Sequence, residues 1–320
     1  MAEIGTDISK ATNLLRQGEV VAIPTETVYG LAANALNVNA VKKIFSVKGR
    51  PSTNPLIIHV ANRKMLEKYV SDVPKKLESL INEYWPGPLT ILFDKNSIIP
   101  NEVNAGLKKV AVRMPNHETT LELIESLNIP LAAPSANPFG YISPTRADHV
   151  QEQLGDKIPY ILDGGPSKIG LESTIIGLEG DLLVVYRLGG ITLENLMLHY
   201  GGIVTVQNHK EDNQDAPGML PYHYAPKTEL ILSQDLSLLS FNSDKIGLIH
   251  HSTFQPSPSI EHSIFLDSTD DYTQAGRLLY ESLYHMDKLG LDLIIVEKFP
   301  ETGLGRTIND RMIRAAYRRK

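Results

Sequence analysis

Short apolar runs alternate with helical patterns over the first two hundred residues, and this alternation limits the fold more than any other feature. Apolar residues at helical spacing predict helices over residues 7–17, 39–47, 62–82 with a break before Pro74, and 193–200. Strands separated by Pro, Gly and Asn are predicted at 20–24, 55–60, 89–93, 110–114, 131–133, 160–162, 174–178 and 183–187. The pattern predicts an α/β domain built on a twisted sheet.

The alternation stops at residues 207–228, which are first polar and then rich in Pro and aromatic residues. After this stretch come predicted strands at 230–232, 245–250 and 293–296, and helices at 272–289 and 307–316. We therefore predict a larger domain over residues 1–206, a Pro-rich linker over 207–228 and a second, smaller α/β domain over 229–320.

Composition excludes several classes of chemistry. The chain of 320 residues has no cysteine, so thiol nucleophiles, disulfides and iron–sulfur clusters are excluded. It has neither a P-loop nor a complete dinucleotide-binding glycine pattern, and its ten histidines lack metal-ligand spacing. With no apolar leader and no apolar run of about 18 residues, we predict a cytoplasmic protein that does not enter a membrane.

The net charge of −6 is unlike that of a non-specific nucleic-acid binder. The clearest basic run lies at the C-terminal end, where helical spacing places Arg311, Arg314 and Arg318 on one face. Cations near the end of a helix are typical of a solvated face that interacts with the helix dipole. We therefore predict a solvated terminal helix there.

Six polar segments follow or precede predicted strands, at residues 24–31, 48–59, 108–115, 132–145, 163–174 and 187–189. Ligands of α/β sheets commonly bind at strand ends. The second segment holds Lys48 and Arg50 on a loop shaped by Gly and Pro, and such a pair suits phosphate. Arg113 ends an apolar strand, where arginine usually has a carboxylate or phosphate partner. Each segment alone is also compatible with an ordinary loop.

Together the segments resemble the YrdC/Sua5 family. Lys48 and Arg50 match its KxR signature, and Ser135 and Asn137 match its SxN signature. The flanking sequences also match: PTETVYGL, KGRPSTNPL, WPGPLT, VAVRMP, APSAN, DGG and ESTI, then PGMLPYHYAP in the linker and GLGRTINDRMIRAA near the end. The resemblance covers nearly the whole chain and implies a YrdC-like twisted-sheet domain followed by a smaller Sua5 domain.

The resemblance implies an enzyme, a nucleotidyltransferase that makes L-threonylcarbamoyl-adenylate from L-threonine, bicarbonate and ATP and releases pyrophosphate. Mg²⁺ would arrive with ATP as substrate, without a dedicated protein site. The product would serve the t6A modification of adenosine 37 in tRNA, so tRNA and t6A-transferase proteins are the implied macromolecular partners.

The resemblance also assigns site residues. Lys48 and Arg50 would be catalytic. The implied ATP-binding residues are Lys48, Arg50, Asn54, Lys109, Ser135, Asn137, Ser143, Arg187 and Tyr224. Those implied around threonine are Thr27, His59, Arg113, Ala133 and Ser173, with Arg113 pairing with the threonine carboxylate.

Tyr222, His223 and Tyr224 lie in the linker, and we expect this strap to fold over the site entrance and exclude water from a labile adenylate. An inert interdomain strap is the alternative. Three other functions stay open at this point: a tRNA- or double-stranded-RNA-binding module without catalysis, a carbamoyl-adenylate enzyme of the hydrogenase-maturation type, and a regulatory binding protein.

Overall fold

Two sheets of different size organise the chain. A computed structural model describes residues 1–201, 203–205, 216–234, 236, 245–253, 260–267 and 271–317. The mixed α/β architecture predicted from the sequence is confirmed, with a large mixed sheet followed by a small parallel one.

The strands of the larger sheet are β1 (Glu3–Gly5), β2 (Val21–Ile23), β3 (Gly30–Asn34), β4 (Ile57–His59), β5 (Leu89–Asp94), β6 (Lys109–Arg113), β7 (Leu131–Ala132), β8 (Tyr160–Leu162), β9 (Thr174–Glu179), β10 (Leu182–Arg187) and β11 (Ile203–Thr205). The helices around it are α1 (Ile8–Arg16), α2 (Val38–Lys48), α3 (Arg63–Tyr69), α4 (Glu78–Tyr84), α5 (Asn101–Asn104), α6 (Glu118–Leu127), α7 (Ala147–Leu154) and α8 (Leu193–Tyr200), with a 3₁₀ turn at Lys75–Leu77.

The larger sheet has the strand order β1-β8-β2-β3-β7-β4-β6-β5-β9-β10-β11 and mixes parallel with antiparallel pairs. β4 and β6 are parallel, with His59 opposite Arg113, whereas β5 is antiparallel to β6 and sets Thr90 opposite Arg113. β7 is antiparallel to β4. These registers bring several strand ends to one place, where the candidate site lies.

The smaller sheet contains β12 (Glu229–Ser233), β13 (Ile246–His250), β14 (Ile260–Phe265) and β15 (Leu293–Glu297) in the order β12-β15-β13-β14, and every pairing is parallel. α9 (Thr273–Asp287) connects β14 to β15, and α10 (Gly303–Ala316) follows β15. β14 was not predicted, because its short run of alternating polar and apolar residues follows a stretch rich in Ser and Pro.

Local sequence explains how the KxR signature is presented. Asn37 caps α2 by accepting hydrogen bonds from the backbone N–H groups of Asn39 and Ala40. Gly49 ends the helix with φ +64, a conformation that glycine adopts without strain. The turn that follows carries Arg50 away from the helix axis, while Lys48 remains on its last turn.

The segment after β2 differs from a simple strand-to-helix loop. Gly30 begins β3, which returns antiparallel to β2, with Gly30 opposite Ile23. A Cβ on Gly30 would lie 3.3 Å from the Ala133 side chain, so glycine allows a close approach there. The hairpin projects residues 24–29 toward the candidate site.

Part of the predicted linker is described. Ala216 and Met219 pack on an apolar face of the larger sheet formed by Ile57, Leu92, Ala111, Ile175, Val184 and Tyr186. Residues 206–215 lie outside the described residues. The larger sheet ends at Thr205 and the smaller sheet begins at Glu229, and the domain limits of 206 and 229 stay a prediction.

The prediction of a solvated terminal helix was wrong for its central residues. Arg311 and Arg314 on α10 are 0% and 2% exposed. They face inward because each has partners that are distant in sequence, described below. Residues 318–320 lie outside the described residues. Within the described part of the chain, no helix has the length and apolar character needed to cross a membrane.

Candidate functional site

A cavity lies where strands of the larger sheet end. His59, Arg113 and Arg187 are the last residues of β4, β6 and β10, while Ala133 directly follows β7 and Ser173 directly precedes β9. The cavity is partly open to solvent, and the space within it, its mouth included, is about 600 Å³. The predicted site residues that line it are Thr27, Arg50, His59, Arg113, Ala133, Ser135, Ser173, Arg187 and Tyr224.

Arg113 is held by three neighbours. Its Nε donates to Gly87 O at 3.2 Å and its Nη1 donates to Thr27 Oγ1 at 2.9 Å. Its Nη2 lies 2.7 Å from Glu26 Oε2, at an angle that does not make a hydrogen bond. Arg113 therefore has a carboxylate partner within the chain, one of the kinds of partner that its place at the end of an apolar strand predicted, although the sequence did not identify Glu26 as that partner.

The single tryptophan adjoins this part of the site. Trp85 packs edge-on against Phe93 and donates its indole N–H to Leu89 O at 2.7 Å. Two residues later, Gly87 supplies the carbonyl that receives Arg113 Nε. The indole thus lies in the loop that supports the guanidinium.

His59 lies beside Arg113 in register on the neighbouring strand. Burial, with the Arg113 charge adding to it, lowers the pKa of His59 to about 3, so the imidazole is neutral at physiological pH. Its buried Nδ1 has no hydrogen-bond partner among the described residues. Such a nitrogen can receive or supply one hydrogen bond to a ligand.

Arg50 and Arg187 bring positive charge to the cavity. Arg50 Nη2 donates to Asn54 Oδ1 at 2.5 Å and to Pro55 O at 2.7 Å, and Arg187 Nη2 donates to Ser173 O at 2.8 Å. Neither forms an ion pair with any carboxylate of the described residues. Burial and the Arg187 charge lower the pKa of Arg50 to about 9, and burial lowers that of Arg187 to about 10. Both side chains would be stabilised by an anion.

Lys48 does not line the cavity. Its Nζ donates to Ser135 O and Asn137 O, each at 2.5 Å, so the ammonium organises the SxN loop from behind. Burial, with Arg50 adding to it, lowers the pKa of Lys48 well below its usual value. Asn137 is equally internal, since its amide donates to Pro138 O and Tyr141 O.

Three other predicted ATP ligands also lie outside the cavity lining. Asn54 is buried beneath Arg50 and accepts its hydrogen bond. Ser143 is buried and donates to Glu172 Oε1 at 2.7 Å. Lys109 begins β6, four residues before Arg113, and its Nζ donates to Leu178 O at 2.6 Å. Lys109 instead lines an open groove with Leu92, Leu107, Lys108, Glu179 and Tyr186.

The described linker residues cover the cavity. Pro217, Gly218, His223 and Tyr224 all line it, and Tyr224 is almost completely buried. A Cβ on Gly218, whose φ is +74, would lie 2.9 Å from Arg187 Nη1. Burial, reinforced by the surrounding cations, lowers the pKa of His223 well below its usual value, so this imidazole is also neutral.

Helix α10 holds the linker from the other side. Arg314 Nε donates to Leu220 O at 2.9 Å and Arg314 Nη2 donates to Gly218 O at 2.7 Å. The guanidinium carbons of Arg311 and Arg314 lie 5.0 and 4.9 Å from the centre of the Tyr224 ring. The tyrosine ring is therefore fixed by cation–π contacts with α10.

Glu172 connects the cavity to the smaller sheet's helices. Its carboxylate accepts from Ser143 Oγ, from Tyr280 on α9 at 2.9 Å and from Arg311 Nε at 2.8 Å. Although burial alone would raise it, the charges of Arg311 and Arg187 keep the pKa of Glu172 below its usual value. This carboxylate lines the cavity but is already paired.

Sequence reasoning missed the structural roles of Glu26, Glu172, Arg311 and Arg314. Glu26 and Glu172 lie within the quoted PTETVYGL and ESTI sequences, and both arginines lie within GLGRTINDRMIRAA. The matched sequences thus contain all four residues. Their structural roles could not be predicted, because the side chains that they contact lie far away along the chain. Among the described residues, no group of three His, Cys, Asp or Glu could hold a metal ion.

Two family models match the chain. The model Sua5_yciO_yrdC, described as "Telomere recombination", matches residues 13–189, and the model described as "Threonylcarbamoyl-AMP synthase, C-terminal domain" matches residues 191–317. This chain belongs to the Sua5/YciO/YrdC family. It is of the two-domain Sua5 type, since both models match in succession.

Curated and solved relatives agree with this membership. The chain is 40% identical to the threonylcarbamoyl-AMP synthase of Pyrococcus abyssi, over 96% of this chain and 93% of that protein. It is 39% identical to the Bacillus subtilis protein of the same name, over 97% and 92%. The crystal structure of P. abyssi Sua5 complexed with L-threonine superposes with a TM-score of 0.89 at 38% identity, covering 99% of this chain and 97% of that one.

Proposed function

We propose that this chain is an enzyme, an L-threonylcarbamoyl-adenylate synthase that uses L-threonine, bicarbonate and ATP and releases pyrophosphate. One observation supports this most strongly. One cavity contains Arg50 and Arg187, which have no carboxylate partner in the part of the chain that the structure describes, together with Arg113, which has one. Relatives covering nearly the whole chain carry the same enzyme name.

ATP would be held by the unpaired guanidiniums. Burial is the main reason why the pKa values of Arg50 and Arg187 are lowered, and neighbouring cations add to it, so a phosphate chain between the two guanidiniums would stabilise their charged forms. Ser135 and Tyr224 line the same cavity and would add neutral hydrogen bonds. Lys48, Asn54, Asn137 and Ser143 would act by holding this arrangement in place.

Lys109 would bind a part of ATP that lies away from Arg113, at the other end of β6. Side chains alternate along a strand, so Lys109, Ala111 and Arg113 of β6 share one face of the sheet. The groove containing Lys109 therefore lies on the same face as the cavity. This shared face supports the binding of ATP by Lys109.

Threonine would bind among Thr27, His59, Arg113, Ala133 and Ser173. Arg113 retains N–H groups for a carboxylate in addition to those used by Gly87 and Thr27. Neutral His59 can hydrogen-bond to a hydroxyl, and Ala133 offers a small apolar wall for a methyl group. Ser173 contacts both Thr90 and Arg187, which places it between the two groups of ligand-binding residues.

The reaction needs positioning more than it needs a protein nucleophile. The threonine amine would take up bicarbonate as a carbamate with loss of water, and a carbamate oxygen would then attack the α-phosphorus of ATP as pyrophosphate leaves. Fixed guanidiniums stabilise the developing phosphate charge, and the linker excludes water from the adenylate. Mg²⁺ would enter on the phosphates of ATP, because the cavity's carboxylate Glu172 is occupied by other side chains.

The product would serve the t6A modification of tRNA, with tRNA and t6A-transferase proteins acting downstream. The test of the enzyme itself is pyrophosphate release by the purified chain with Mg²⁺ and ATP. Release should require both L-threonine and bicarbonate. L-serine, which lacks one methyl contact, should support slower release, because a methyl contact is worth about 1–3 kcal/mol.

A variant pair makes the test specific. Arg187→Met should lose most pyrophosphate release, because it removes a cavity guanidinium. Arg63→Met removes a partly exposed arginine that is paired with Glu78 outside the cavity, and it should keep wild-type activity. Release that does not depend on threonine would contradict the proposal, and specific RNA binding without any release would favour a binding module.

A further inference from the structure

Charge is distributed unequally among the cavity residues and those directly behind them. The cationic group consists of Lys48, Arg50, Arg187, Arg311 and Arg314, and its described carboxylate partners are only Glu172 and Asp310. The Arg113 group consists of Glu26, Thr27, His59 and Arg113. Because His59 is neutral and Glu26 balances Arg113, the Arg113 group has no net charge.

The contact between Glu26 and Arg113 is an ion pair rather than a hydrogen-bonding clamp. Glu26 and Arg113 are 3% and 4% exposed, and Oε2 lies 2.7 Å from Nη2. Neither carboxylate oxygen of Glu26 accepts a hydrogen bond from a described residue. Arg113 is oriented by Gly87 and Thr27 instead. What Glu26 supplies to this group is therefore mainly its negative charge.

That charge matters because arginine binds carboxylates and phosphates with the same geometry. A cavity that takes both ATP and an amino acid must keep the phosphate chain away from the arginine meant for the amino acid. An amino-acid zwitterion has no net charge, whereas pyrophosphate and ATP carry several negative charges. A neutral ion pair therefore disfavours the polyanion far more than the zwitterion.

We propose that Glu26 is a positioning residue that determines specificity: it neutralises Arg113 and so keeps phosphate ligands out of the amino-acid subsite. This inference rests on the proposed function and extends it to the division of the cavity. Glu26 acts through Arg113 and need not touch either ligand.

The test is calorimetric titration of L-threonine into the full chain with and without saturating inorganic pyrophosphate. In the wild type, pyrophosphate should leave the threonine affinity nearly unchanged, because each ligand has its own subsite. In Glu26→Gln, Arg113 carries an unbalanced charge, and pyrophosphate should weaken the apparent threonine affinity by about tenfold or more. Glu26→Asp keeps the charge and should behave like the wild type.

A matched control removes one negative charge elsewhere. Glu3 is an exposed carboxylate paired with Lys10, and Glu3→Gln should show no competition between the ligands. Thermal unfolding of each variant shows whether it is folded. If Glu26→Gln does not fold, the wild type still tests the inference, because competition between pyrophosphate and threonine in the wild type would overturn it.

The outcomes separate the inference from the proposed function. A Glu26→Gln chain that binds threonine less tightly but shows no competition by pyrophosphate would overturn the inference and leave Glu26 a purely structural role. Unchanged behaviour of that variant would overturn it as well. Failure of the wild type to bind threonine or to release pyrophosphate with it would instead contradict the proposed function.

Discussion

At the scale of single residues, the structure divides the KxR signature into two tasks. Arg50 lines the cavity, whereas Lys48 lies behind it and donates to two carbonyl groups of the SxN loop. The sequence shows two cations two residues apart, and it cannot show that a glycine turn sends them in different directions. Both were therefore predicted to bind ATP, although only Arg50 lines the cavity.

Replacement of Lys48 tests this division. Lys48→Met should lower the free energy of unfolding by about 1–3 kcal/mol, because it leaves the carbonyls of Ser135 and Asn137 buried without their donor. Urea denaturation measures this loss, and pyrophosphate titration measures phosphate binding. Unchanged stability with a large loss of pyrophosphate affinity would instead make Lys48 a direct phosphate ligand.

Replacement of Gly218 tests the contact between the linker and Arg187. Gly218→Ala places a methyl group against Arg187 Nη1 and adds the strain of positive φ, about 1–2 kcal/mol. We expect a clear loss of pyrophosphate release. Gly180→Ala, at φ +59 with open space around it, is the matched control and should lose some stability but keep activity. Equal activity of the two variants would contradict a role of this contact.

At the scale of elements, the sequence pattern predicted that α10 is a helix but not which of its faces is buried. The helix itself was predicted, because its apolar residues recur at helical spacing. Its arginine face was predicted to be solvated, because a single sequence does not show that Glu172, Leu188 and Tyr224 fold against it. Strands with apolar runs were predicted because their own residues show the pattern. β3 and β14 were not predicted, because they form only through pairing with other strands of their sheets.

Replacement of Arg314 tests whether α10 holds the linker in place. Arg314→Met removes the donors to Gly218 O and Leu220 O, so residues 216–224 should become more sensitive to limited proteolysis and pyrophosphate release should fall. Arg306→Met on the same helix removes a more exposed pair with Glu194, worth about 0–1 kcal/mol, and serves as the control. Equal proteolysis of both variants would show that α10 does not hold the linker.

At the scale of the whole molecule, two parts of the chain line the cavity, the larger sheet's domain and the linker, and the helices of the smaller sheet support it from behind. The motif residues of the larger sheet could be predicted, since their order and spacing match a known family. The contribution of the smaller sheet's helices could not, because Tyr280 and Arg311 reach Glu172 across separations of more than one hundred residues. Long-range pairing of this kind leaves no periodic signal in a single sequence.

The neutral histidines of the cavity make global stability depend on pH. His59 stays neutral down to about pH 3 when folded but takes up a proton near pH 6.5 when unfolded, so acid favours the unfolded chain below pH 6.5. Between pH 7 and pH 4.5 this histidine alone should reduce the free energy of unfolding by about 2–3 kcal/mol. His59→Gln should show a correspondingly shallower decline in urea denaturation. An identical decline in both proteins would contradict the depressed pKa.

The position of Trp85 has an optical consequence. A protein with several tryptophans emits an average over many environments, but here all indole emission comes from one ring, in the loop whose Gly87 carbonyl holds Arg113. We therefore expect a ligand that binds Arg113 to change the surroundings of the indole more than a ligand that binds only the cationic group. The intrinsic fluorescence of the unlabelled chain is thus a local reporter, able to follow in real time which of two ligands arrives first.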